Sequence, residues 1–289
     1  MATRFDTISF LSDYGLTDEY VAVVKSVLRT MAPGVTVIDI THDIAPHDIR
    51  AGALALARAA QYLHQGVVLG AVDPAAGGDR RHVAIEVGDG ASILVGPDNG
   101  LFAPAVALVG GATAVVELDN TEMHLPAAGP TLDAARDIYA PVAAQLCLGA
   151  TLTDVGTPIE AGGLQPGVLP IAMFEDGRHE VSILWVDRFG NAQLNVGPDD
   201  LDQHGSHFML RWDGGERPAQ RVASFADVGP GVVGLIVDSY GVLALALDRG
   251  SVAAELGIEA GTAVTLEPLA SPAPPTVTSP VELRSKPSS

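Results

Sequence analysis

Three carboxylates stand where an apolar run breaks: Asp13 after ISFLS, Asp43 after VTVIDITH and Asp73 directly after GVVLGAV. If these runs are neighbouring strands, their carboxyl ends form the edge at which open α/β sheets bind ligands. Read alone, each acid fits a turn or a helix cap; their common position is what points to a site. The run Asp73-Pro74-Ala75-Ala76-Gly77-Gly78-Asp79-Arg80-Arg81-His82 carries the most chemistry. A strand delivers a carboxylate, a Gly-containing turn reverses the chain, and Arg80 returns toward Asp73 just before the next strand. As a loop-stabilising ion pair the two would contribute only ~0–1 kcal/mol. The functional alternative is a water held and polarised between carboxylate and guanidinium.

A second group lies in WVDRFGNAQLNV, residues 185–196, where Asp187, Phe189, Gly190 and Asn191 make a tight turn between two strands. The segment reads either as a plain hairpin turn or as a recognition loop. In the second reading Asp187 meets an ammonium, Asn191 a base edge and Phe189 a flat ring. Asp238-Ser239-Tyr240-Gly241, after GLIVD, is a third turn of this kind. The 8 histidines show no HExxH or comparable spacing, and the lone Cys147 sits in the apolar run AAQLCLGA. No metal site, thiolate cluster or disulfide framework is expected. The absence of GxSxG, of a P-loop and of GxGxxG after the first strand removes support for a hydrolase triad or a nucleoside triphosphate.

The elements that must position these residues follow from periodicity. Residues 8–12, 35–40 and 66–72 read as strands, and 50–63 as an Ala-rich helix. Tyr20, Val21, Val24, Val27, Leu28 and Met31 fall at helical spacing in 18–31, stopped by Pro33-Gly34. HVAIEV with SILVG reads as a hairpin and 136–149 as another helix. This alternation predicts an α/β first domain, residues 1–165, with a mainly parallel Rossmann-like sheet and helices on both faces. After a Gly/Pro-rich connection, short strands with Gly and Asp turns predict a smaller all-β domain over 166–269, an antiparallel sheet or barrel. Residues 270–289, rich in Pro and Ser, read as a disordered tail.

Composition narrows the partners. The chain has 289 residues, 47% hydrophobic and 18% charged, enough for a full core and unlike a disordered chain. Lys plus Arg number 16 against 35 Asp plus Glu, a net charge of −19, and Lys25 and Lys286 are the only lysines. Such a chain lacks the basic face that nucleic acid requires; its field suits a small cation. With no apolar run near the ~18 residues that span a bilayer and no signal-like N-terminus, a soluble cytoplasmic protein without membrane contact is expected.

Taken in order, FLSDYGLTDEYVAVVKSVL, VTVIDITHDI, VDPAAGGDRR, VGPDNGLF, RDIYAPVAA, VDRFGN and DSYGVLALAL resemble the S-adenosyl-L-methionine hydroxide adenosyltransferases, relatives of the fluorinase and chlorinase. The resemblance runs from residue 7 to about 267. It implies hydrolysis of S-adenosyl-L-methionine (SAM) to adenosine and L-methionine, with SAM as substrate and no other cofactor. It also implies a homotrimer whose sites lie between the first domain of one subunit and the second domain of its neighbour. Carried over by motif, Asp73 and Arg80 activate and orient water, and Asp13, with Tyr14 beside it, accepts the ribose hydroxyls. Asp187 pairs with the methionine ammonium, Ser239 with neighbouring Tyr240 holds the carboxylate, and Asn191 reads adenine with Phe189 packed nearby.

The chain departs from the family at one point. The family usually reads Thr-Phe-His-Gly-Arg-Asp, whereas residues 131–137 read Thr-Leu-Asp-Ala-Ala-Arg-Asp. Counting back from Arg136 puts Ala134 in the place of the histidine; counting forward from Thr131 puts Asp133 there. Two other functions stay open: a SAM-dependent halogenase using chloride, and a non-catalytic SAM or adenosine binder. Against the first, a carboxylate about 4 Å from a halide costs ~4 kcal/mol at an effective dielectric of 20.

Overall fold

Strands buried along their whole length need cover on both faces, and the first half of the chain supplies it from two sets of helices. The computed structural model describes residues 4–74, 77–126, 131–167, 169–175 and 177–270. Ala75 and Ala76 of the expected turn and all but the first residue of the expected tail lie outside them. The chain divides into two units between Leu169 and Pro170. In the first, β1 (Thr7–Ser12), α1 (Tyr20–Met31), β2 (Thr36–Thr41), α2 (Ile49–Ala60) and β3 (Val67–Ala71) alternate. There follow β4 (His82–Val87), β5 (Ser92–Pro97), α3 (Ala103–Leu108) and β6 (Ala112–Glu117). A π-helical turn, Ala135–Tyr139, runs into α4 (Ala140–Cys147), then α5 (Leu152–Val155) and β7 (Thr157–Pro158).

These strands form one seven-stranded sheet in the order β2-β1-β3-β5-β4-β6-β7. The pairs β1–β2, β1–β3 and β3–β5 are parallel; β4–β5, β4–β6 and β6–β7 are antiparallel. The sheet is therefore mixed, which corrects the expected mainly parallel arrangement. The cause is the β4–β5 hairpin. Its turn uses the left-handed conformations of Gly88, Asp89 and Gly90 (φ 60°, 53° and 87°), setting β4 outside β5 with reversed direction, and β6 then joins β4. The six-residue α3 is too short to announce itself by periodicity.

Side-chain alternation sorts the core into two layers. Ile8, Phe10, Val67, Leu69, Ala84, Ile93 and Val95 pack with α1, the π turn and α4. Leu11, Val68, Val83, Ile85 and Leu94 pack with α2 and α3. Cys147 ends α4 with a buried thiol, pushed by burial up to about 12, while its carbonyl accepts the Arg4 and Phe5 amides at 2.8 and 3.3 Å.

The second unit contains β8 (Met173–Glu175), β9 (Arg178–Val186), β10 (Ala192–Leu194), β11 (His207–Trp212), β12 (Gly215–Arg221), β13 (Val233–Val237) and β14 (Leu243–Ala246). The short helix α6 (Val252–Leu256) and β15 (Ala263–Pro268) complete it. The order β10-β14-β13-β12-β11-β15-β9-β8 closes through a β9–β10 pairing into a barrel, around Ile183, Leu194, Phe208, Leu210, Leu235 and Leu245. Two features differ from a purely antiparallel all-β unit: β12 and β13 pair in parallel, and α6 follows β14.

His179 on β9 is only 3% exposed. Its ring meets Phe174 and His204 edge-on at 5.1 and 4.6 Å, and neither ring nitrogen has a hydrogen-bond partner among the described residues. Burial, then His204, lowers its pKa. Below the ordinary histidine value of ~6.5, the unfolded chain binds a proton that the folded one refuses, so stability is complete above that pH and declines beneath it. Thermal unfolding from pH 7 to 5 is expected to show a falling Tm, with a shallower fall in His179→Phe. Equal slopes would remove His179 as the cause.

Candidate active site

Strand order creates the crevice. From β1 the chain passes through α1 to β2 on one side, then through α2 back across to β3 on the other, with α1 and α2 on opposite faces. The switch point therefore lies at the carboxyl ends of β1 and β3, where Asp13 and Asp73 stand. Ser12 pairs with Ala71, and the Asp13 amide donates to the Ala71 carbonyl at 3.2 Å. Asp13 Oδ2 accepts the His47 amide at 2.8 Å, His47 itself being left-handed at φ 70°. Asp13's turn is held by Ser12 Oγ on His42 Nδ1 (2.7 Å) and by the Gly15 amide on the His42 carbonyl (2.8 Å). Asp43, which follows β2, is exposed, and no described contact joins it to the other two acids.

Arg80 returns to Asp73 as the turn chemistry predicts: Nε donates to Asp73 Oδ1 at 3.1 Å, with the side chains 28% and 15% exposed. The segment after β5 braces both ends of this loop. Asn99 Nδ2 donates to the Val72 carbonyl at 2.8 Å, and the buried Asp98 accepts Arg81 Nη2 at 2.6 Å and the Gln165 amide at 2.8 Å. Where the loop enters β4, His82 and the buried Tyr139 share a hydrogen bond of 2.7 Å. None of these four is among the residues read from the sequence as a site. The one available signal is a polar residue inside an apolar run, as in RDIYAP.

The Tyr14 hydroxyl donates to Asp133 Oδ1 at 2.9 Å, and the same oxygen accepts the Arg136 amide at 3.1 Å. Asp133 thus ties Tyr14 to the start of the π turn, a helix defect common at functional sites. Burial first, then the charge of Asp133, raises the Tyr14 pKa far above the phenol range and keeps the hydroxyl a donor. Ala134, the other candidate at this position, packs against the apolar layer that contains Tyr139.

In the second unit the 187–191 turn is built by its own carboxylate. Asp187 Oδ1 accepts the Phe189 and Asn191 amides at 2.9 and 2.8 Å, and Oδ2 accepts Asn191 Nδ2 at 2.8 Å. A carboxylate has about four acceptor positions, so an ammonium can still be accommodated. Phe189 is 78% exposed and, with Asn191, Phe225, Leu247, Arg249 and Ser251, lines a cleft of about 810 Å³. Phe225 and the 247–251 turn are absent from the sequence-based set. Ser239 and Tyr240 are exposed on the Asp238 turn, which Gln193 Nε2 ties to β10 through Asp238 Oδ2 at 2.6 Å. Among the described residues no group of three His, Cys, Asp or Glu could hold a metal.

Gly190 fixes the position of this turn. It lies at φ +83°, and a Cβ there would sit 1.9 Å from Ser251 Oγ. Gly190→Ala is expected to cost ~1–3 kcal/mol of stability and to raise KM more than it lowers kcat. Denaturant unfolding with steady-state kinetics would check this, and unchanged values in both would mean that the turn is slack.

A switch-point sheet carrying a carboxylate–guanidinium pair, in a chain that continues into a barrel with an Asp-Asn turn, defines a two-unit α/β protein with a candidate site at the sheet edge. The family model for the SAM hydroxide adenosyltransferase N-terminal domain matches residues 8–156, and that for the C-terminal domain matches residues 181–265. The chain belongs to the SAM hydroxide adenosyltransferase family. It is 42% identical over 254 residues to the (R)-S-adenosyl-L-methionine hydrolase of Salinispora tropica, covering 88% of this chain and 95% of that one. A fluorinase from Actinoplanes sp. is 28% identical, covering 90% and 96%. The crystal structure of an uncharacterized conserved protein from Thermotoga maritima superposes with a TM-score of 0.82 at 28% identity, covering 90% and 99%.

Proposed function

We propose that this protein is an enzyme that hydrolyses S-adenosyl-L-methionine to adenosine and L-methionine by attack of water at the ribose C5′. The observation that carries the reading is the Asp73–Arg80 pair at the switch point, in a chain whose hydrolase relative is more similar than its fluorinase relative. The sulfonium leaves as a neutral thioether, so no general acid is needed and the nucleophile alone requires help. Asp73 accepts the proton of water, and Arg80 holds oxygen and carboxylate in line; such positioning can supply several kcal/mol of the barrier. Asp133, held by Tyr14, adds a polar wall. Asp13 takes the ribose hydroxyls, Asp187 the ammonium, Ser239 and Tyr240 the carboxylate, and Asn191 with Phe189 the adenine. The net charge of −19 favours a cationic substrate.

A halide nucleophile fits less well, because the Asp73 carboxylate would stand against it. The test is adenosine release from SAM, with and without chloride or fluoride. Adenosine unaffected by halide supports hydrolysis; a 5′-halogenated nucleoside overturns it in favour of a halogenase, and binding without turnover in favour of a SAM-binding protein. The resemblance also supports a cytoplasmic homotrimer, testable as a sedimenting species of three chain masses; among the described residues no helix is long and apolar enough to cross a membrane.

A further inference from the structure

Beside the site lies a Ser-His-Asp constellation that the mechanism above does not use. His42, in the turn after β2, is 4% exposed, and its ring meets Phe10 edge-on at 4.6 Å. Nδ1 is 2.7 Å from the hydroxyl of Ser12, and Nε2 lies 3.1 Å from Asp39 Oδ1, an ion-pair contact rather than an aligned hydrogen bond. Lys25 of α1, one of the chain's two lysines, donates to the other Asp39 oxygen at 2.6 Å. Burial alone would raise the Asp39 pKa, but the contacts with Lys25 and His42 carry it below the ordinary carboxylate value, so this end of the chain is an anion.

A nucleophilic serine is excluded on two grounds. A hydrolytic triad turns Nε2 to the serine and Nδ1 to the acid, whereas here the ring faces the opposite way, and Ser12 is wholly buried at the end of β1. What the ring does reach is the turn that carries Asp13. With Nε2–H directed at Asp39, Nδ1 accepts the Ser12 hydroxyl proton, and Ser12 Oγ accepts the Tyr14 amide at 3.4 Å. The His42 carbonyl accepts the Gly15 amide at 2.8 Å, Gly15 being left-handed at φ 65°. Further along, the His47 amide donates to Asp13 Oδ2 at 2.8 Å. The segment 42–47 thus grips the turn before Asp13, after it and at its carboxylate, and His42 makes the first two of these contacts.

We propose that His42, anchored on Asp39, is a positioning residue that presets the Asp13 carboxylate for a cis-diol and so sets the preference of the site for ribose over a deoxygenated sugar. The proposal rests on the reading that Asp13 takes the ribose hydroxyls. His42, enclosed beneath the turn, acts only through it. A carboxylate held by its turn loses little rotational freedom when the diol arrives, and that preorganisation is read as affinity.

Dissociation constants would be measured by calorimetry for adenosine and for 2′,3′-dideoxyadenosine, which lacks both hydroxyls. The full-length proteins are wild type, His42→Ala, His42→Asn, Asp13→Ala and the double variant His42→Ala/Asp13→Ala, with thermal unfolding as the folding control. Wild type should prefer adenosine. In His42→Ala that preference should shrink about three- to tenfold, the effect of one lost hydrogen bond, while dideoxyadenosine binds as before. Asparagine carries an amide atom on Cγ, where Nδ1 stands, so His42→Asn keeps a partner for Ser12 and should retain most of the preference. In the Asp13→Ala background His42→Ala should add nothing, the mark of a residue that acts through Asp13. A merely structural role would weaken both nucleosides alike and add to Asp13→Ala; that result overturns the proposal, as does an unchanged preference in His42→Ala. If the His42 variants do not fold, Ser12→Ala, which removes the same link with little change in volume, decides in their place. Equal binding of the two nucleosides by wild type overturns the ribose role of Asp13 and the proposal with it. Adenosine release from SAM is read separately: its absence overturns hydrolysis, while the nucleoside preference still decides the role of His42.

Discussion

Asp73→Asn is expected to lower kcat for adenosine release roughly 10²–10⁴-fold, the range for losing a positioned base, while KM changes little. Asparagine keeps the shape of the side chain, and its Oδ1 can still accept from Arg80 Nε, so the loop should hold its geometry. What disappears is the proton-accepting oxygen. The pair is partly exposed on both sides, so its loss should barely move the melting temperature. Steady-state kinetics beside thermal unfolding separates these effects, and an unchanged kcat would exclude Asp73 from water activation.

Asp13→Ala should act on binding instead. Two ribose hydroxyls lose a charged acceptor, and each such hydrogen bond is worth ~1.5–3 kcal/mol, or about ten- to 100-fold in affinity. KM is therefore expected to rise at least 100-fold, with a smaller change in kcat. Asp13 also receives the His47 amide, so alanine releases that turn as well. Asp13→Asn keeps this acceptor and removes only the charge, and its KM should lie between the wild-type and alanine values. Wild-type KM in both variants would leave Asp13 as a turn residue.

The parts of this site legible in the sequence are those set by local chemistry. Asp13 and Asp73 each end a run so apolar that it had to be a strand buried on both faces, and a Gly-containing turn returns Arg80 within seven residues. The Asp187 turn announces itself by its Asp, Gly and Asn. Contacts made by tertiary folding were not legible. Tyr14 and Asp133 are 119 residues apart, and His82 and Tyr139 are 57 apart, and no periodicity relates them. The mixed sheet escaped the pattern for a similar reason, because pairing direction depends on where β4 and β6 dock rather than on their composition. β12, GERPAQR, is hidden by its charges and by its proline, which lacks a ladder donor and sits just before the pairing with β13 begins at Ala219.

Cys147 has a practical consequence. As the sole cysteine, capped under the first unit with its thiolate strongly disfavoured, it is unreactive toward electrophiles while α4 is seated, since the thiolate is the reacting species. Alkylation therefore clocks the opening of the first unit and is blind to motion in the barrel. With mass spectrometry it becomes a native reporter of local unfolding, one that needs no introduced label. The same concealment lets the protein be handled without reductant, because intermolecular cross-linking would first require that helix to leave its bed.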